Sequence, residues 1–140
     1  MSLDQVKSRE QFGQPVANFQ MIRAKLADMY VWVETMRSFT YRVLRRATAM
    51  EIGSGGRGEI HKLTAGSVMY ASETLDKVLN EAVQIHGGGG YIWESEINHL
   101  YRANKLLEIG AGTTEIRKLI ISGVETPSSE SSGHSRNLRP

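Results

Sequence analysis

The stretch "FQMIRAKLADMYVWVETMRSFTYRVL", residues 19 to 44, decides how this chain folds. Its apolar residues fall at Phe19, Ile22, Leu26, Met29, Val33 and Met36, then at Val43 and Leu44. Steps of three and four keep such residues on one side of a 3.6-residue helix. The spacing predicts one long helix over roughly residues 16 to 50, entered at Pro15, where a first-turn proline is tolerated. Met29, Tyr30, Trp32 and Met36 read as core and subunit-contact residues before they read as a cofactor box. Trp32, off the main stripe, is expected to face another helix or a partner subunit.

Next comes "EIGSGGRGE", residues 51 to 59, with four glycines in nine positions. Each costs about 1 kcal/mol relative to alanine in a helix, so the segment reads as a loop. Gly53, Gly55 and Gly58 match G-x-G-x-x-G, but that fingerprint needs a strand leading into it, and here a helix does. A second helix carries Val68, Ala71, Leu75, Val78, Ala82 and Ile85 in the same rhythm and stops at the run Gly87 to Gly90. A third over 94 to 107 places Ile97, Leu100, Tyr101 and Asn104 on one side. A fourth begins near Thr113 and carries Ile116, Leu119 and Ile120. Upstream, "LDQVKSREQFG" at 3 to 13 reads as the tail of a helix stopped by Gly13.

No alternating run is long enough to build a sheet. The class is therefore all-α, a four-helix up-and-down bundle over residues 1 to 125. The Ser-rich stretch 126 to 140 has too few apolar residues to repay its ordering entropy and is expected to stay disordered.

The chain holds 17 Lys+Arg against 15 Asp+Glu, a formal balance of +2 that points to neither nucleic acid nor a membrane surface. Without cysteine it has no thiol nucleophile and no disulfide framework. No eighteen consecutive apolar residues occur, so no membrane span is expected. His61, His86, His99 and His134 fit no metal-ligand spacing, so no metal site is expected.

Two glycine-bearing turns remain, "QIHGGGGY" at 84 to 91 and "EIGAGTTE" at 108 to 115. Glycine admits close approach of backbone amides, and a helix start offers unpaired N–H groups to an anion. Taken singly, each turn is equally plain helix punctuation. The residue patterns stop at a helical domain with two places where an anion could bind.

Four segments in succession, "REQFGQPV" at 9 to 16, "FQMIRAKLADM" at 19 to 29, "QIHGGGGYI" at 84 to 92 and "KLLEIGAGTTEIRKLII" at 105 to 121, resemble the C-terminal helical domain of the acyl-CoA dehydrogenases. The Gly-Ala-Gly turn is most like the isovaleryl branch. The resemblance implies α,β-desaturation of an acyl-CoA thioester, with FAD as hydride acceptor and an electron-transferring flavoprotein as its reoxidant. It implies a subunit that also has an N-terminal helical domain and a middle β-domain, in a homotetramer. The expected compartment is the mitochondrial matrix in a eukaryote and the cytoplasm in a bacterium.

By the same resemblance, Arg9 and Gln20 match positions that contact the FAD pyrophosphate and ribose. Gln84, Ile85, His86, Gly87 and Gly88 match the segment beside its adenosine half. Thr113, Thr114 and Glu115 match a further FAD-contacting segment, and Ala111 and Gly112 lie beside the acyl chain and thioester. Many members place a glutamate, the α-proton base, where this chain has Ala111. No catalytic residue is assigned here, and the chain alone is expected to be inactive. Gly89 stands where asparagine is common, and "YRANK" at 101 to 105 replaces the usual Arg-Asp-Ala-Lys. The alternative is a non-catalytic helical interaction module that kept this fold.

Overall fold

The computed structural model describes residues 1–50 and 58–123. The 126 to 140 tail and residues 51–57 of the glycine-rich loop lie outside the described residues. Helix α1 is Ser2–Ser8, followed by strands β1, Glu10–Gln11, and β2, Gln14–Pro15. A 3-10 turn, Val16–Asn18, leads into α2, Gln20–Thr48. Then come α3, Glu59–His86, the single turn α4, Gly88–Tyr91, and the helices α5, Glu96–Ile109, and α6, Thr114–Ser122.

α2, α3, α5 and α6 are the four helices the periodicity predicts. α3 is the central one. α2 runs antiparallel to it, since Lys25 pairs with Glu81, Ser67 donates to the Thr40 hydroxyl at 3.2 Å, and the Phe39 and Tyr70 rings meet edge to face at 6.2 Å. α5 also runs antiparallel to α3, with Asn104 donating to the Ser72 carbonyl at 3.1 Å. α6 takes over along the same helix: Lys118 lies 3.7 Å from Glu73, and Ile121 packs beside Gly66. α5 and α6 thus lie in succession along α3, joined at the Gly-Ala-Gly turn.

This arrangement explains the burial. α3 has neighbours on more than one side and buries Ala65, Ser67, Ser72, Thr74, Val78, Leu79, Ala82 and Ile85. α2 buries only Val43. Its stripe of Ile22, Leu26 and Met29 packs partly buried against Val6, Val16 and Ile85, while Tyr30 and Leu44 are exposed. Val68, Leu100 and Ile116, expected on inner faces, are exposed as well. The inward residues of α5 are Ile97 and Asn104, and those of α6 are Thr114 and Arg117. Trp32, off the stripe, is half-buried.

Three local expectations are corrected. The helix expected to run to Gly13 ends at Ser8, where Arg9 turns extended. Residues 10 to 15 form an antiparallel hairpin with Glu10 opposite Pro15, its two-residue turn being Phe12 and Gly13, both at positive φ. The Val16 amide donates to the Arg9 carbonyl at 2.9 Å and closes the hairpin, so α2 starts at Gln20 and not near residue 16. The glycine run does more than stop α3: Gly88–Tyr91 makes a helical turn of its own. A Cβ on Gly90 would lie 2.7 Å from the Val83 carbonyl oxygen, so only glycine lets this turn lie flush on α3.

Candidate functional site

The C-terminal end of α3 gathers the first group of predicted residues. Val6, Val16 and Ile85 form a buried cluster that fastens α1 and the 3-10 turn to the last turn of α3, with Phe19 packed against it. Because Arg9 leaves α1 in an extended conformation, its side chain reaches across to this end. One guanidinium nitrogen lies 3.5 Å from the His86 carbonyl oxygen. Gly87 sits at φ +59, and a Cβ there would lie 3.9 and 4.0 Å from the two terminal nitrogens of Arg9. No carboxylate is within ion-pairing distance of Arg9 among the described residues.

His86 adds a second unsatisfied group. Its Nε2 is buried and has no hydrogen-bond partner among the described residues. Burial holds its pKa below the ordinary imidazole value, and the Met1 ammonium acts in the same direction. Gly88 and Gly89 have open space where a side chain would stand. Gln84 is exposed, and Gln20, the first residue of α2, is exposed at the same end of the bundle. Ile85, in contrast, is buried in the apolar cluster and anchors the segment.

The second group lies at the joint between α5 and α6. Ala111 is at φ 52, an uncommon conformation for a residue with a Cβ, and Gly112 follows at φ 99. Thr113 caps α6, its hydroxyl accepting from the Ile116 amide at 3.4 Å. Glu115 is held below the usual carboxylate range by a hydrogen bond from its own backbone amide and another from the Thr113 hydroxyl. Thr114 turns inward, its hydroxyl 3.5 Å from the Glu108 carbonyl.

Beside the joint is a cleft of about 280 Å³, lined by residues that include Glu73, Lys105, Glu108, Thr113, Glu115 and Lys118. Lys105 donates to Glu108 at 2.6 Å, which raises the lysine pKa. Sequence reasoning missed Arg117 entirely. It is 6% exposed and donates to the Leu107 and Gly110 carbonyls, each at 2.8 Å.

The structure therefore brings Arg9, Gln20 and residues 84 to 88 to one end of the bundle and residues 110 to 115 to mid-length, near Glu73. His86 lies thirteen positions beyond Glu73 along α3, about 20 Å at 1.5 Å per residue. Among the described residues no group of His, Cys, Asp and Glu is arranged to hold a metal ion. No helix among them is long and apolar enough to cross a membrane.

Residues 1–124 match the family model described as Acyl-CoA dehydrogenase, C-terminal domain. The chain is 44% identical over 116 residues to the mitochondrial isovaleryl-CoA dehydrogenase of Oryza sativa subsp. japonica, covering 83% of this chain and 27% of that relative. It is 34% identical over 118 residues to the CarC subunit of the caffeyl-CoA reductase-Etf complex of Acetobacterium woodii, 84% of this chain and 29% of that protein. The butyryl-CoA dehydrogenase structure from Megasphaera elsdenii superimposes with a TM-score of 0.76 at 31% identity, covering 87% of this chain and 30% of that one. The chain thus spans less than a third of the length of these relatives. With the bundle and both glycine turns in place, the chain belongs to the acyl-CoA dehydrogenase family and carries its C-terminal domain.

Proposed function

We propose that this chain supplies part of an FAD site, and one wall of an acyl-thioester site, to an enzyme that desaturates a short or branched acyl-CoA of the isovaleryl kind. One observation carries the reading. The Arg9 guanidinium, free of any carboxylate among the described residues, packs against the Gly87 turn and lies 3.5 Å from the His86 carbonyl oxygen. A planar cation beside open glycine backbone suits a diphosphate, which arginine binds bidentately.

In this reading Arg9 holds the diphosphate, with Gln20 and Gln84 at its margin and the Gly87 and Gly88 backbone in close approach. Thr113 and Glu115 present polar groups at the start of α6, and Thr114 and Ile85 support the backbone from inside. Ala111 and Gly112 leave room for the acyl thioester. When bound, FAD accepts hydride from the β-carbon. The methyl group of Ala111 cannot accept a proton, so the α-proton base belongs to sequence other than this turn. An electron-transferring flavoprotein as reoxidant, a homotetramer, and a mitochondrial matrix or bacterial cytoplasmic setting complete the proposal.

Equilibrium dialysis of the chain with FAD and with riboflavin tests it. Arg9 acting on the diphosphate makes riboflavin bind at least about tenfold more weakly, and Arg9→Ala removes most of that difference. Equal affinity for the two flavins overturns the assignment.

A further inference from the structure

We infer that Arg117 is a positioning residue that locks the Gly110 to Thr113 joint in its ligand-facing conformation. One carbonyl it binds, Leu107, is among those in the last turn of α5 that lack a helical partner, and the other belongs to Gly110, the residue that ends the helix. Its planar fork spans both at once. The side chain comes from the first turn of α6, so it ties the end of one helix to the start of the next across the turn between them. That turn holds Ala111 at φ 52 and Gly112 at φ 99, a pairing that local preference does not favour at alanine. The clamp is buried, and no carboxylate pairs with Arg117 among the described residues. A buried guanidinium held only by carbonyls has its position fixed by those carbonyls, and they by it. Lysine does not replace it, because a single ammonium on a flexible stem lacks the fork that reaches both oxygens.

The functional part of this inference rests on the reading that the joint faces an FAD-dependent site. It is tested on the 140-residue chain with Arg117→Lys and Arg117→Ala, each with and without millimolar ethylguanidinium. Amide hydrogen exchange is followed at Gly110, which donates to Leu106, and at Arg117, which donates to Thr113, against amides of central α3. The expected result is a loss of protection of at least about tenfold at the joint in both variants, with α3 changed less than about twofold and ethylguanidinium restoring the joint in Arg117→Ala. Unchanged joint protection, or a loss shared equally by α3, overturns the clamp. A second arm measures FAD affinity: a decrease of about fivefold or more in Arg117→Ala, reversed by ethylguanidinium, supports positioning, and unchanged affinity overturns it. If the unsubstituted chain fails to bind FAD, the cofactor reading falls and the exchange measurement alone decides the clamp.

Discussion

The side-chain amide of Asn104 on α5 donates to the Ser72 carbonyl on α3 at 3.1 Å, deep in the interface between the two helices. Asn104 is 2% exposed, and its Oδ1 has no partner among the described residues. The bond and the orphaned carbonyl act in opposite directions. A net hydrogen bond is worth about 1 kcal/mol, and an unpaired buried acceptor costs about as much. Asn104→Ala should therefore change stability by no more than about 1 kcal/mol. Asn104→Asp buries a charge at an oxygen position that has no partner among the described residues and should cost about 3 kcal/mol or more at neutral pH. Urea unfolding of the two variants checks the contrast, and equal losses would count against it.

At the joint, Ala111 and Gly112 both occupy positive φ. A Cβ in that region costs about 1–2 kcal/mol, partly offset by the greater unfolded freedom of glycine. Ala111→Gly is expected to leave stability unchanged or raise it by up to about 1 kcal/mol, and Gly112→Ala to lower it by about 1 kcal/mol or more. Thermal melts followed by circular dichroism measure both. A stabilised Gly112→Ala variant would show that the turn relaxes to negative φ.

His86 gives the chain a pH signature. Its folded pKa lies below the ordinary 6.5, first through burial and then through the Met1 ammonium. Arg9, whose guanidinium reaches the His86 carbonyl, is a further cation near this end of α3. A depressed histidine pKa means that the folded state binds fewer protons than the unfolded one. Its contribution is fully present above 6.5 and is lost as pH falls through the folded value. Denaturant midpoints between about pH 7 and pH 5 should fall for the native chain and fall less for His86→Gln. Parallel curves would remove His86 from the explanation.

Gly90 is a steric prediction. A Cβ there would stand 2.7 Å from the Val83 carbonyl oxygen and 2.8 Å from the His86 Cβ. Neither can yield without shifting α4 away from α3, so Gly90→Ala should cost about 2 kcal/mol or more. Gly88→Ala and Gly89→Ala, with open space around them, should each change stability by less than about 1 kcal/mol. Melting temperatures of the three variants test this ranking. Equal losses would mean that helix propensity, not contact with α3, governs the run.

The long helices were legible because steps of three and four from Phe19 to Met36 leave few alternatives. Which apolar residues become buried was not legible. Periodicity marks a face, but the number of neighbours decides how far it is covered, so Ser67 and Ser72 on crowded α3 are buried while Leu44 on α2 is exposed. Arg117 reads as a surface residue in "TEIRKLI", since its burial answers to carbonyls of a different helix. The hairpin at Glu10 to Pro15 was hidden by strands too short to show alternation. Of the candidate site, the glycines and Arg9 were proposed through family motifs. The orphaned nitrogen of His86 could not, because burial of a single ring atom leaves no mark on the sequence.

The one-sided support of α2 sets an order of opening along the molecule. Its first turns are covered by Val16, Ile85 and their neighbours, whereas toward its last turns the packing among the described residues narrows to Phe39 on Tyr70, Thr40 with Ser67 and buried Val43. Fraying should begin at Thr48 and travel toward Gln20, leaving the central helix and its two companions as a more durable tier. The terminus of α2 beside Arg9 would then be the last part of that helix to let go, keeping the predicted nucleotide-facing end intact through fluctuations that loosen the far end.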